Sequence, residues 1–394
     1  MPETHGISPS FTTDLKNVQR HLVQDEVTGS NVMLVFQNGK PIYEHVFNSH
    51  RNGDKDITEN TLFPIASLTK PITIVAVMIL AEQGLLDINT AIKEYLPVFS
   101  NIKVKNDNAV EGAKNDLLVH HLMAHRSGYS YNYPKSPDSP LPRQGRFRNL
   151  EEYVNVVAET PLEFEPGTNF AYGINQAILG RLVEVVSNEP FESFLQKNIF
   201  QPLNMNNTSF SLTEKQWTYL QPMFIKSGNL KGYTNMEGLL AYFDPMVSNF
   251  DPDSRAHFGG EGLVSTMSDY ANFCEMLTSM GAFNNKKIVQ SASIEEIIKP
   301  RTTENVVRAA FYNNSGLDNW WAGYDVGHSV FIKNEYGKDN TLAPIGIFGW
   351  AGLNNTHFWI DIENKIFGLF MSRSLEFNWN IPIQLRAALY GSKK

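Results

Sequence analysis

Strand-like segments lie near both ends of the chain, and mostly helical patterns fill the long stretch between them. Asn38-Gly39 joins the first two segments, and this dipeptide suits the positive φ values of a tight hairpin. A helical pattern at 381–390 follows the last two. These patterns predict an α/β (α+β) fold whose antiparallel sheet is built from both chain ends and flanked by helices. The strand-like segments are 31–36 with 41–47, and 356–361 with 365–372.

The 394 residues are enough for two lobes that share one core. We predict one domain over about residues 10–394, in which residues 10–66 and 258–394 form the α/β lobe. Residues 67–257 then form a mostly helical lobe. Four prolines and few aliphatic side chains in residues 131–146 predict an exposed insertion or lid.

Composition excludes several classes of protein. The net charge of -8 without a long block of like charge argues against a nucleic-acid binder. Cys274 is the single cysteine, which excludes an internal disulfide, and its apolar helical setting predicts a buried thiol. No apolar run is long enough for an integral membrane segment. The first 17 residues lack a secretory signal pattern, so we expect a cytoplasmic protein, or a periplasmic one if a signal was removed.

Ser67-Leu68-Thr69-Lys70 begins an apolar helical pattern, which places Ser67 at the helix N-terminus and Lys70 one turn later on the same face. A serine hydroxyl becomes a good nucleophile when a nearby base removes its proton, and a desolvated lysine can be that base. The helix N-terminus also favours an oxyanion. A second Ser-x-x-Lys, from Ser100 to Lys103, leads into polar residues, and we predict a surface turn there.

Tyr172 lies between a Pro166-Gly167 turn and the next helical pattern, where a phenol can face a cleft. A neighbouring cation such as Lys70 would stabilise its phenolate and let it shuttle a proton. A core tyrosine with a satisfied hydroxyl is the alternative interpretation.

A glycine-rich run from Phe348 to Leu353 precedes the strand-like segment at 356–361. Its glycines let the backbone approach a substrate closely and free the Leu353 amide to point at a carbonyl oxygen. A glycine bulge at a strand edge would give the same pattern without function.

His121 and His125 have the i, i+4 spacing of a zinc-binding pair, with His120 beside them. No glutamate completes a His-Glu-x-x-His motif, so we predict structural histidines near the Ser127-Gly128 turn. The chain also lacks a Gly-x-Ser-x-Gly elbow, a phosphate-binding loop and a cofactor fingerprint. We therefore predict neither a metal nor a cofactor.

Taken in order, these motifs resemble the serine β-lactamase-like family, which includes class C β-lactamases, D-alanyl-D-alanine carboxypeptidases, esterases and acyltransferases. The resemblance implies the fold of β-lactamases, transpeptidases and penicillin-binding proteins, and a covalent acyl-enzyme on Ser67. It implies that the backbone amides of Ser67 and Leu353 form the oxyanion hole, while Lys70 and Tyr172 share the proton transfers. The matching blocks are 62–70, 122–128, 166–180 and 260–266.

Two departures separate the chain from β-lactamases. Tyr172-Gly173-Ile174 stands where those enzymes have Tyr-x-Asn, and Trp350-Ala351-Gly352 replaces Lys-Thr-Gly, which removes a cation that would attract a substrate carboxylate. Both changes resemble the carboxylesterase and acyltransferase branch, which implies small ester substrates with apolar acyl groups. The predicted substrate-binding residues are Tyr129, Asn175, Phe348, Trp350 and Gly352.

Two other functions fit the motifs. A β-lactamase or D-amino-acid peptidase acting on amides would need Asn175 to replace the missing asparagine. A non-catalytic ligand-binding member would keep the fold alone, although intact Ser67, Lys70 and Tyr172 argue against it. The sequence does not indicate an oligomeric state, nor whether water or an alcohol resolves the acyl-enzyme.

Overall fold

The computed structural model describes residues 6–106, 109–131, 147, 149–228, 231–234, 256–303, 305–307 and 322–392. The predicted lid lies outside these residues except for Tyr131. The α-helices are α1 (Phe11–Gln24), α2 (Thr69–Glu82), α3 (Val119–Met123), α4 (Leu150–Ala158), α5 (Asn175–Ser187), α6 (Phe191–Leu195), α7 (Glu214–Trp217), α8 (Met267–Thr278), α9 (Ser291–Ile297) and α10 (Asn380–Tyr390).

Short strands are spread along the whole chain, and longer ones lie near its two ends. In chain order, the strands are β1 (Asn31–Gln37), β2 (Lys40–Phe47), β3 (Phe63–Pro64), β4 (Lys103–Asn106), β5 (Ala109–Gly112), β6 (Met223–Ile225), β7 (Gly232–Thr234), β8 (Val264–Ser265), β9 (Ala282–Phe283), β10 (Lys286–Lys287), β11 (Tyr324–Val326), β12 (Phe331–Lys333), β13 (Phe348–Gly352), β14 (Thr356–Asp361) and β15 (Ile366–Ser372).

Among the described residues, the largest sheet has seven antiparallel strands in the order β11-β12-β13-β14-β15-β1-β2. β1 pairs with β15 so that Met33 lies opposite Phe370, which joins the two ends of the chain. Asn38 and Gly39 take φ values of 53° and 72° in the β1–β2 hairpin, as its sequence predicts. The predicted antiparallel sheet from both chain ends is therefore confirmed.

Helices cover both faces of this sheet. The ring of Phe358 on β14 lies 5.7 Å from the ring of Tyr270 on α8. The preceding residue, His357, lines a small pocket with Arg386 on α10. Because consecutive strand residues point to opposite faces, α8 and α10 lie on different sides of the sheet. This double cover explains why every residue of β13, β14 and β15 is buried.

Helix α2 is the buried centre of the region between the two end segments. Every residue from Thr69 to Leu80 is buried. The helix packs against α5 and α9. The turn directly before it, Ala66–Leu68, packs against strand β13 of the sheet. Cys274 on α8 is buried, as predicted. Across the described ranges, every helix is too short or too polar to cross a bilayer.

His357 makes the stability of the fold depend on pH. Its ring packs against those of Phe370 and Phe377, with centroids 6.2 and 5.7 Å away, and within the described residues neither ring nitrogen has a hydrogen-bond partner. Burial, reinforced by the charge of Arg386, lowers the pKa of His357 from 6.5 to about 3. The unfolded chain therefore binds a proton between these pH values that the folded chain does not, so stability falls as the pH decreases through this window.

We expect this group to remove about 2 kcal/mol of unfolding free energy between pH 7 and pH 5. His357→Phe keeps an aromatic ring packed against Phe370 and Phe377 but cannot take up the proton. Urea unfolding at both pH values should show that the unfolding free energy of the variant, relative to that of the wild type, is about 2 kcal/mol higher at pH 5 than at pH 7. An identical stability difference at pH 7 and pH 5 would contradict the prediction.

Candidate active site

Ser67 lies in a tight turn directly before α2. The turn is a 3₁₀ helix over Ala66–Leu68, and both neighbours of Ser67 are buried while Ser67 itself is partly exposed. Ala66 has a φ of 45°, a left-handed value that costs energy in a residue other than glycine. The Tyr270 hydroxyl donates to the Leu68 carbonyl at 3.0 Å and so holds the end of the turn. The turn thus presents Ser67 from a rigid support.

Lys70 is fully buried, one helical turn after Ser67. Its Nζ donates to Ser67 Oγ at 3.1 Å, to the Tyr131 hydroxyl at 3.0 Å and to the Gly260 carbonyl at 2.7 Å. An ammonium group has three N–H donors, and these three acceptors satisfy all of them. The lysine is therefore held in one orientation against the serine.

Tyr172 approaches Ser67 from the loop before α5. Its hydroxyl donates to Ser67 Oγ at 2.8 Å, and Lys70 Nζ lies 4.8 Å from the centre of its ring. Gly173 allows this position, because a Cβ there would collide with the backbone of Ser130. The structure thus brings together the three side chains that the sequence predicts to be catalytic.

A buried polar network supports the loop that carries Tyr172. Asn175 Nδ2 lies 3.0 Å from His125 Nδ1 and donates to the Tyr129 carbonyl at 3.3 Å. Its Oδ1 accepts a hydrogen bond from Ser127. Burial, followed by the charge of Lys70, holds the pKa of His125 well below its usual value, so the ring is neutral. The predicted structural role of His125 agrees with these contacts.

Three predicted substrate-binding side chains do not reach the cleft. Asn175 is fully buried, and its amide is used by the network just described. Tyr129 packs in the core with its ring 6.2 Å from that of Phe99, and burial raises its pKa. Phe348 is fully buried at the start of β13. The prediction that these side chains contact substrate is wrong, because Asn175 is used in the buried network while Tyr129 and Phe348 pack in the core.

Trp350 and Gly352, both buried, lie on β13 near the Tyr172 ring and the chain just before Ser67. The Trp350 ring lies 5.8 Å from the Tyr172 ring. A Cβ on Gly352 would overlap the carbonyl oxygen of Ile65, so the strand meets the chain just before the Ser67 turn. Leu353 follows directly, and this residue is 52% exposed. The predicted oxyanion residues therefore lie on adjacent segments.

The sequence interpretation missed two site residues, Tyr131 and Glu261. The Tyr131 hydroxyl donates to Glu261 Oε2 at 3.0 Å, and this oxygen lies 3.6 Å from Lys70 Nζ. Desolvation raises the pKa of Glu261, and the charge of Lys70 opposes that shift. A carboxylate between Gly260 and Gly262, in a block with no other charged residue, was the available signal for Glu261. Tyr131 has no comparable signal, since it begins the predicted lid.

The other candidate motifs have structural roles. Ser100 donates to the Pro97 carbonyl at 2.7 Å in an exposed turn, as predicted. His121 Nδ1 accepts from the Leu118 amide at 3.2 Å and caps the start of α3, a structural role as predicted but away from the Ser127-Gly128 turn. Over the described ranges, no group of three or more His, Cys, Asp or Glu side chains could hold a metal ion.

The sequence profile of the family described as Beta-lactamase matches residues 15–389. The chain belongs to the beta-lactamase family. This beta-lactamase-family chain is 22% identical over 376 residues to Esterase EstB from Burkholderia gladioli, covering 91% of this chain and 90% of the relative.

Solved structures share the fold. EstCE1, "a hydrolase with promiscuous acyltransferase activity", has a TM-score of 0.78 and 19% identity, covering 97% of this beta-lactamase-family chain and 99% of its own. Unliganded selenomethionyl simvastatin synthase (LovD) from Aspergillus terreus has a TM-score of 0.77 and 19% identity, covering 97% of this chain and 98% of its own. The likeness confirms the predicted β-lactamase/transpeptidase-like fold.

Proposed function

We propose that the protein is a serine hydrolase of carboxylic esters that works through a covalent acyl-enzyme on Ser67. One observation carries the proposal: Ser67 Oγ accepts hydrogen bonds from both Lys70 Nζ and the Tyr172 hydroxyl, at 3.1 and 2.8 Å. Either group, once it has lost its own proton, can take the serine proton over the same contact, as an activated nucleophile requires. The names of the similar proteins, an esterase and a hydrolase with acyltransferase activity, support the same chemistry.

In the first half of the reaction, Ser67 Oγ attacks the ester carbonyl carbon, and its proton passes to Tyr172 or Lys70. The carbonyl electrons move to oxygen, where the backbone amides of Ser67 and Leu353 and the N-terminus of α2 stabilise the negative charge. The intermediate collapses, the carbon–oxygen bond to the leaving group breaks, and the leaving alkoxide takes up the transferred proton. The product is an acyl-enzyme and a free alcohol.

The second half repeats these steps with water. A water molecule attacks the acyl carbonyl and gives its proton to the same base. The tetrahedral intermediate then releases the carboxylic acid, and Ser67 Oγ recovers a proton. Because attack and departure use the same base and the same oxyanion contacts, one set of residues serves both halves.

Trp350 favours neutral esters over β-lactams. Its ring lies 5.8 Å from that of Tyr172, at the motif position where β-lactamases have a lysine. An indole offers an apolar surface to an acyl group, whereas a lysine would pair with a substrate carboxylate. We propose small-molecule esters with apolar acyl groups as substrates.

We expect the protein to hydrolyse p-nitrophenyl butyrate and to leave nitrocefin largely intact, because the cation that would bind the cephalosporin carboxylate is missing. Parallel absorbance assays measure both reactions. A fluorophosphonate probe should add one label by intact mass, and peptide mapping should place it on Ser67. Comparable nitrocefin turnover would favour the β-lactamase alternative. An inert protein that takes no label would favour the non-catalytic alternative.

A further inference from the structure

We propose that Glu261 is a positioning residue that holds Lys70 in its ammonium form and so sets the pH range in which Ser67 is acylated. This inference rests on the proposed function, since it concerns the proton transfers of the same site. It assigns a role to a carboxylate that the serine, lysine and tyrosine chemistry does not use.

Glu261 reaches the lysine from a distant part of the chain. The Gly260 carbonyl accepts from Lys70 Nζ at 2.7 Å, and the next residue places its Oε2 at 3.6 Å from the same nitrogen. The exposed fractions of the two side chains are 0% for Lys70 and 8% for Glu261. Because both charges are buried, water screens their attraction far less than at a surface.

The hydrogen bonds of Lys70 also favour the ammonium form. Three acceptors surround Nζ: Ser67 Oγ, the Tyr131 hydroxyl and the Gly260 carbonyl. An ammonium group donates to all three at once, whereas a neutral amine has two N–H donors and would have to turn its lone pair towards Ser67. The Tyr131 hydroxyl is directed by its own donation to Glu261, so the carboxylate supports Lys70 both directly and through Tyr131.

Lys70 is the cation that balances Glu261 among the described residues. Glu261 Oε2 accepts from Tyr131, while Oε1 is buried and has no hydrogen-bond partner in the described part of the chain. The other titratable groups on this side are Tyr172, which lies beyond Lys70, and His125, which is held neutral. The negative charge of Glu261 therefore acts mainly on Lys70 and, past it, on Tyr172.

A lysine held as ammonium cannot accept the Ser67 proton. Tyr172, which donates to Ser67 Oγ in the structure, is then the group in hydrogen-bond contact that takes it, after its own hydroxyl proton has been lost to solvent. Lys70 Nζ lies 4.8 Å from the centre of the Tyr172 ring, so the two groups act as one coupled pair. Glu261 thus acts through Lys70 and does not touch the reacting atoms.

Glu261→Gln tests the charge with little change of shape, because the amide oxygen can still accept from Tyr131. Removing a negative charge favours deprotonation of the coupled Lys70 and Tyr172 pair. We expect both limbs of the kcat/KM profile for p-nitrophenyl butyrate, measured from pH 5 to 10, to move to lower pH by about one unit or more. Glu184→Gln on α5 is the matched control, and its profile should coincide with that of the wild type.

A profile that stays in place in Glu261→Gln would overturn the inference. If that variant does not fold, Glu261→Asp and Glu261→Asn form a second pair with equal side-chain length and different charge. The inference requires the Asn variant to have the profile at lower pH, and coincident profiles overturn it. A wild-type protein with no turnover and no label would overturn the proposed function and this inference together. An active wild type with unmoved variants overturns this inference alone.

Discussion

Replacing Ser67 by alanine is expected to abolish ester turnover while the fold stays intact. The nucleophile oxygen is lost, so no acyl-enzyme can form, and kcat/KM should fall by roughly a thousandfold or more. The fold should tolerate the change because Ser67 is partly exposed and its turn is held by neighbouring contacts. Turnover of p-nitrophenyl butyrate, labelling by the fluorophosphonate probe and a thermal melt measure the three expectations.

Ser100→Ala is the matched control for this change. Ser100 begins the second Ser-x-x-Lys pattern but lies in an exposed turn, where its hydroxyl bonds to the Pro97 carbonyl. Its loss should leave turnover and labelling unchanged. Retained activity in Ser67→Ala with an unchanged melt would disprove the mechanism. A comparable loss of activity in Ser100→Ala would show that the nucleophile has been assigned to the wrong motif.

Gly352→Ala should both destabilise the protein and impair catalysis. A Cβ at this position would overlap the Ile65 carbonyl oxygen and Thr356 Oγ1, closer than real Cβ atoms come to other groups. Thr356 Oγ1 also donates to Ile65 at 3.2 Å, so the added methyl would separate β13 from the segment before Ser67. Overpacking of this kind costs about 1–3 kcal/mol. We also expect slower acylation, because Leu353 would move away from Ser67.

Gly112→Ala provides the comparison. Gly112 lies on the exposed strand β5, and a Cβ there would meet no heavy atom within 4 Å. Urea unfolding and ester turnover should both stay close to wild-type values in this variant. A Gly352→Ala protein with unchanged stability and activity would show that the close contact between β13 and the Ser67 segment is not required.

Much of the fold could be predicted because its signals are local. Alternation of side chains and the Asn38-Gly39 turn specify a hairpin over a few residues, and the structure forms it. The pairing of β1 with β15 is a contact between distant segments. It was nevertheless predictable in outline, since the segments at the two ends are strand-like and their apolar faces need partners.

The central pair of the site was predictable for the same reason. Ser67 and Lys70 are three residues apart at the start of a helix, and helical geometry alone brings such side chains together. Whether a residue at a motif position is buried could not be predicted in this way. Asn175 and Tyr129 occupy plausible places in the sequence, yet their side chains are used in a buried network and in the core.

The amino-acid sequence by itself determined the nucleophile turn, the adjacent lysine and the strands at the two ends, because these depend on contacts within a few residues. The tertiary structure alone decided which distant groups surround Lys70. Tyr131 lies 61 residues away and Gly260 190 residues away along the chain. Such neighbours depend on how helices and sheet pack, and the spacing of residues along a chain carries no direct record of that packing.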